Sequence, residues 1–251
     1  MEKDEQFKKR ILELGRNAYH RSIVTFSDFL DLYEQNMVHS LNIKNEGFRM
    51  EFFGGYDMSE RQMIAFLSDA LSYHWDYPIV CLHIQPKSLK YSDKLTHRDY
   101  LGALLNLGVL RAKIGDIIVN DDNSAYVFCE DRIADFFLQE LCRVKHTVVT
   151  VSKIEYSEQA ITHNEELISG TVASVRLDSM IALAFQSSRS GMTAYIEAGK
   201  VFVNGKLVTS NGYNLKDGDI ISVRGKGKFR YAGITNTTKK GRYAVSLYRY
   251  V

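Results

Sequence analysis

Between Pro78 and Ser169 the apolar pattern alternates in one order, and that order leaves few folds open. IVCLHIQ reads as a strand. THRDYLGALLNLG has helical spacing, with Thr96 placed to cap it and Gly108 to stop it. DIIV and SAYVFCE read as strands joined by the turn-rich NDDN. DRIADFFLQELCRV reads as a helix with Ile133, Phe136, Phe137, Leu141 and Val144 on one face. HTVVTVSKIE closes the segment as a strand.

This order, β-α-β-β-α-β, is the ferredoxin-like plan. Many RNA-recognition domains share it. SAYVFCE, however, lacks the basic residue, glycine and paired aromatics of an RNA-recognition strand, so base stacking on this sheet is not expected. Fold alone does not assign function.

The flanking segments read differently. In residues 1–77, EQFKKRILELGRNAY places Phe7, Ile11 and Leu14 on a helical stripe. Ser27 is placed to cap a helix over SDFLDLYEQNMV, with Asp28 suiting its positive dipole end. RMEFF reads as a strand, and GGYDMSERQMIAFL as a Gly-Gly turn followed by a helix capped at Ser59. In residues 170–251, LDSMIALAF is a short helix with Leu177, Ile181, Ala184 and Phe185 facing one way. Ser188 caps a second helix, Met192 and Ile196 form an i,i+4 apolar pair, and Gly199 ends it. Asn204-Gly205 between β-branched runs is a strong hairpin signal. The expectation is an α+β chain of three domains: a helical/mixed domain over 1–77, a ferredoxin-like domain over 78–169, and a third over 170–251 that ends in a β-hairpin extension.

Charge divides the chain. From Arg176 to Val251 there are 13 Lys+Arg against 4 Asp+Glu, or +9; the preceding residues carry 19 against 26, or −7. Such a split suggests a polyanion-binding module joined to something else. The highly charged start lacks the apolar centre of a signal peptide, and no apolar run approaches a membrane span, so a cytosolic protein is expected. Cys81, Cys129 and Cys142 are odd in number and show no C-x-x-C spacing. They read as small buried apolar residues rather than a disulfide framework or zinc site.

Enzyme signatures are missing. No phosphate loop, H-E-x-x-H, G-x-S-x-G or dinucleotide fingerprint occurs, and the seven histidines show no metal-ligand spacing. His97-Arg98-Asp99 echoes a kinase triplet, but neighbouring helix residues point in different directions, and caps and ion pairs explain it better. No catalytic residue, metal or cofactor is expected.

The pattern R-L-D, S-R, I-x-x-G-x-V-x-V-N-G and G-D-x-I-x-V, from Arg176 to Val223, resembles the S-four-type (alpha-L) RNA-binding domain. The residues suit RNA. Arg189 opens a helix, where free N–H groups already favour phosphate, and its planar fork adds a bidentate contact. Ser188 precedes it. Lys200 and Lys206 flank the hairpin. Arg176 precedes the first helix, and Asp178 reads as an orienter of Arg176 or Arg189, as a helix N-terminal charge, or as half of an internal ion pair. In the tail Lys226, Lys228, Arg230, Lys239, Lys240 and Arg242 interleave with Phe229, Tyr231 and Tyr243. Basic groups neutralise phosphate and aromatics can stack on bases. The competing reading is a ribbon with its aromatics in a core.

The run His97–Val119, Gly54-Gly55-Tyr56 with Glu60-Arg61, and the T-x-K-K-G-R ending at Arg242 resemble the YlmH-like bacterial proteins. That resemblance covers nearly the whole chain. It implies a non-enzymatic role in quality control of stalled large ribosomal subunits that carry peptidyl-tRNA. The partners it implies are rRNA, tRNA, the large subunit and other quality-control factors. Competing readings are an RNA-modifying enzyme of the pseudouridine-synthase type, and a cell-division or membrane-surface scaffold using the basic tail. The first is disfavoured because those enzymes carry this RNA-binding domain before the catalytic one.

Overall fold

The computed structural model describes all residues except 1, 42, 44–45, 69–72, 156–164, 240 and 251. The chain forms two compact units, residues 1–157 and 158–251. Among the described residues no helix is long and apolar enough to cross a membrane.

In the first unit, helix α1 (Glu2–Arg21) is followed by β1 (Thr25–Phe26), α2 (Leu32–His39), β2 (Phe48–Phe53) and β3 (Met63–Ser68). The strands form a sheet of order β1-β3-β2. Ile11 and Ala18 of α1 pack with Val38, Phe48, Ile64 and Phe66 into one core.

Two expectations fail here. Met63–Ser68 is a strand, not a helix capped at Ser59. As the central strand it is buried at all six positions, and a short run covered on both faces has no period to distinguish it from a helix. Helix α2 begins at Leu32, not after Ser27. Asp31 accepts from the amides of Tyr33 and Glu34 while Glu34 reaches back to the Asp31 amide, a complete capping box. Ser27 instead accepts the Ile64 amide at 2.9 Å and ties the loop to β3.

The ferredoxin-like reading holds. Strand β4 (Ile79–Pro86), α3 (His97–Asn106), β5 (Ile114–Val119), β6 (Ala125–Glu130), α4 (Asp131–Glu140), β7 (Arg143–Val144) and β8 (Thr147–Ile154) build an antiparallel sheet of order β5-β6-β4-β8-β7. Leu82, Ile84, Val127 and Cys129 face α3 and α4 through a core that includes Tyr100, Leu104 and Phe137. Helix α4 stops at Glu140, because Arg143–Val144 pairs with β8; Phe136 is exposed rather than on the buried face. Asp99 accepts from the Thr96 amide (2.8 Å) and hydroxyl (2.7 Å) and pairs with Lys145 (3.0 Å), so the kinase-like triplet is a helix start. Burial pushes the Cys81 and Cys129 thiols up to about 12, which keeps them protonated. Cys142 departs from the expectation: it is exposed, in the link between α4 and β7.

The N-terminal layer is fastened to this sheet by residues of the Gly-Gly-Tyr and Glu-Arg motifs. Asp116 accepts the Tyr56 hydroxyl (2.7 Å) and the amides of Glu60 (2.7 Å) and Arg61 (3.0 Å). The Arg61 guanidinium donates to the carbonyls of Ile114 (3.1 Å) and Phe29 (2.8 Å).

The second unit holds β9 (Glu165–Val172), α5 (Leu177–Ala184), α6 (Arg189–Glu197), β10 (Val201–Val203), β11 (Lys206–Leu207), β12 (Ile220–Val223), β13 (Gly227–Thr237) and β14 (Tyr243–Tyr250). The sheet order is β11-β10-β12-β13-β14-β9. Strand β9 pairs with β14 along its whole length, from Glu165↔Tyr250 to Val172↔Tyr243. The 169/170 boundary read from the sequence therefore falls inside a strand of this sheet.

Candidate RNA interface

Helices α5 and α6 cover one face of the six-stranded sheet. Leu177, Met180, Ile181, Met192 and Ile196 pack onto Val201, Val203, Ile221, Val223, Phe229 and Tyr231. Asn204 (φ 49°) and Gly205 (φ 75°) make the two-residue turn between β10 and β11, as the sequence indicates. Asn204 also donates to Asp219 at 2.8 Å and accepts the Ile220 amide at 2.9 Å. The V-N-G and G-D motifs thus lock to one another and fix the hairpin.

This packing brings the starts of α5 and α6 to one carboxylate. Arg176 is the N-cap of α5, Asp178 lies in its first turn, and Arg189 is the first residue of α6 after its cap Ser188. Ser188 accepts the Gly191 amide at 3.2 Å. Arg189 donates to Asp178 at 2.6 Å, and Arg176 contacts the same carboxylate through Nε and one terminal nitrogen, both at 3.3 Å. Side-chain exposure sorts the roles: 6% for Asp178 against 41% for Arg176 and 57% for Arg189. Burial works to raise the Asp178 carboxyl, but the hydrogen bond and charge of Arg189, then Arg176, outweigh it and hold the group below the usual carboxylate range. The internal ion pair and the orienter are the same object. An inward anion holds two outward guanidinium groups at two helix N-termini, where the backbone already favours phosphate.

A second basic cluster surrounds Tyr195. Lys200 and Lys226 each lie 5.3 Å from its ring centroid. Arg224 stands over Phe202 at 5.0 Å, and its amide donates to the Lys200 carbonyl at 2.9 Å. Tyr195 and Arg224 were missed from the sequence. The run Arg-Gly-Lys-Gly-Lys after the G-D-x-I-x-V strand could have flagged the arginine.

The remaining candidates scatter. Lys206 is exposed at the hairpin turn, and Lys239 is exposed near the β13–β14 turn. Lys240 lies outside the described residues. Arg242 donates to the Thr171 carbonyl at 2.8 Å and so fastens β14 to β9. The tail aromatics need correction: Phe229 and Tyr231 are 0% and 1% exposed core residues, unable to stack on a base. Alternation along β13 then sends Lys228 and Arg230 to the face away from α5 and α6, where Arg230 lies 4.7 Å over Tyr248. Those two cations do not extend the surface around Arg189.

A helix pair and hairpin presenting paired arginines define an RNA-binding protein of the S4 class. Residues 175–221 match the S4 domain, and residues 73–158 match the family described as "Putative RNA-binding domain in YlmH". Over 253 residues the chain is 30% identical to "Ribosome-associated protein quality control protein P2" of Bacillus subtilis (strain 168), covering 98% of this chain and 96% of that one. The chain belongs to the YlmH-like family of RNA-binding proteins with a C-terminal S4 domain. The solved structure "Cell division protein ylmH from Streptococcus pneumoniae" is 22% identical and aligns with a TM-score of 0.50, over 61% of this chain and 91% of that one. That likeness concerns the fold alone.

Proposed function

We propose that the protein binds folded RNA on the ribosome, without catalysing a reaction, and acts in the cytoplasm on large subunits that retain peptidyl-tRNA during quality control of stalled synthesis. The observation that carries the reading is the buried Asp178 holding Arg176 and Arg189 outward at two helix starts. The quality-control title of the Bacillus relative supports the ribosomal setting. Arg176, Arg189, Lys200, Lys206 and Lys226 are the proposed phosphate contacts, and Arg224 joins them. Asp178 is a positioning residue and Ser188 a helix cap. Charge alone binds many RNAs weakly, so the address comes from geometry: two clusters held rigidly suit phosphates converging from separate strands of rRNA and tRNA.

Sedimentation through sucrose gradients tests this. The protein is expected to travel with large ribosomal subunits and to be held more tightly by those retaining peptidyl-tRNA. Equal retention by empty subunits would reduce the reading to general ribosome binding. Migration with small subunits alone would reject it.

A further inference from the structure

The ferredoxin-like sheet turns one face to α3 and α4, and the N-terminal layer covers only part of the other. Leu82 and Ile84 of β4, Val127 and Cys129 of β6, and Val149 and Val151 of β8 point into the helix-side core. Alternation therefore sends His83 and Gln85, Tyr126 and Phe128, and Thr150 and Ser152 to the outer face. Phe128 is taken up by Tyr56, whose ring stacks on it at 4.9 Å and 26°. Further along the strands the face opens. His83 lies directly opposite Tyr126, and the two half-exposed rings stack at 4.9 Å and 25°. On the other side of β4, His83 lies opposite Ser152, an exposed residue too small to cover the imidazole face turned toward β8. Gln85 and Thr150 form the next opposed pair on this face, both exposed, and exposed Lys87 continues the row just past the strand.

We propose that the row His83, Gln85, Lys87 binds a single-stranded segment of RNA, with one unpaired base stacked on His83 above Ser152. This rests on the RNA reading given above and adds a contact of a different kind, inside the matched residues 73–158. Base stacking was not expected from SAYVFCE alone; the fold supplies the second ring from the neighbouring strand. Burial keeps the His83 pKa below the usual histidine value, although Asp122 acts to raise it, so the ring is neutral at pH 7. A flat aromatic ring stacks on any base, and the Gln85 amide offers both donor and acceptor to a base edge. Same-face neighbours on a strand stand about 7 Å apart, which sets the Lys87 ammonium beyond the base, toward the backbone phosphate. Charge permits this. Residues 78–154 carry 10 Lys+Arg against 9 Asp+Glu, so the −7 of residues 1–175 belongs to the flanking segments. A protein partner fits less well, since Val148 is the one exposed aliphatic side chain on β4 and β8.

Full-length protein is photocrosslinked to a single-stranded oligouridylate carrying thiouridine, and the crosslinked residues are mapped by mass spectrometry. A crosslink is expected at His83 or Tyr126. Ser152→Leu fills the space beside the imidazole without altering it, and should lower the yield of that crosslink about fivefold or more, as loss of one base–aromatic stack implies. His83→Ala should lose the crosslink and His83→Phe should keep it, with circular dichroism confirming the fold of each variant. A blunt RNA duplex, which offers phosphates and no unpaired base, reports separately on the arginine pair of the second unit. Its affinity should fall with Arg189→Ala and stay unchanged in the variants at His83 and Ser152. The proposal is overturned by the absence of any crosslink at His83 or Tyr126, or by a full yield from folded Ser152→Leu. Loss of duplex binding in the same variants would also overturn it, because the effect would then not be one of an unpaired base.

Discussion

Gly54→Ala is expected to destabilise residues 1–157 by about 3 kcal/mol, near the upper end for forcing atoms into a packed site. A Cβ at Gly54 would lie 2.2 Å from the Arg61 carbonyl oxygen and 2.5 Å from the Ser59 side chain. The first obstacle is backbone and cannot swing away. Asp116 holds the Arg61 amide at 3.0 Å, so the loop can yield only by breaking the bonds that join the N-terminal layer to the ferredoxin-like sheet. Thermal unfolding of the full chain measures the effect, and the transition of this unit should fall by roughly 6–12 °C. Gly102→Ala is the control. Gly102 lies inside α3 with nothing within 4 Å of an added Cβ, and the change should stabilise by about 0.5–1 kcal/mol. A neutral Gly54→Ala would mean that the motif does not serve as a clasp.

Arg189→Ala is expected to weaken RNA binding by about 1–3 kcal/mol and to make the logarithmic salt slope shallower by about 1, the loss of one charge-assisted phosphate contact. The fold should survive, because Arg176 and the Ser179 amide (2.8 Å) still serve the Asp178 carboxylate. Filter binding over a salt series, with circular dichroism alongside, separates the outcomes. Unfolding of the variant would make Arg189 a structural residue, and an unchanged salt slope would remove it from the phosphate surface.

Periodicity revealed the ferredoxin-like sheet because its strands and helices differ in period and each is long enough to show it. It could not reveal β3, where six consecutive buried positions carry no alternation. The start of α2 was readable in principle. Ser27 and Asp31 are both capping residues, and only Asp31 has a glutamate three positions later to close the box. The arginines and Asp178 stood out through the resemblance to the S-four-type domain, whereas their shared geometry did not, because it depends on α5 packing beside α6. Tyr195 and Arg224 escaped for a similar reason: Tyr195 is flanked by Lys200 and Lys226 only once α6 is packed, and Arg224 reaches the Phe202 ring where β10 pairs with β12. For the tail, alternation showed that Phe229 and Tyr231 share a face. Which face is buried is decided by helices some forty residues earlier, and that turned candidate stacking residues into core.

The most direct measurement is the RNA affinity of Asp178→Asn against the unchanged protein at matched salt. The substitution removes a negative charge from a basic surface, so a surface acting through net charge would bind RNA more tightly. If Asp178 acts by holding Arg176 and Arg189 in a fixed fork, losing the charge frees both side chains and binding weakens, by roughly five- to tenfold for a contact of about 1 kcal/mol or somewhat more. Weaker binding with the fold intact is the expected result. Equal or tighter binding would contradict the account of a positioned arginine pair.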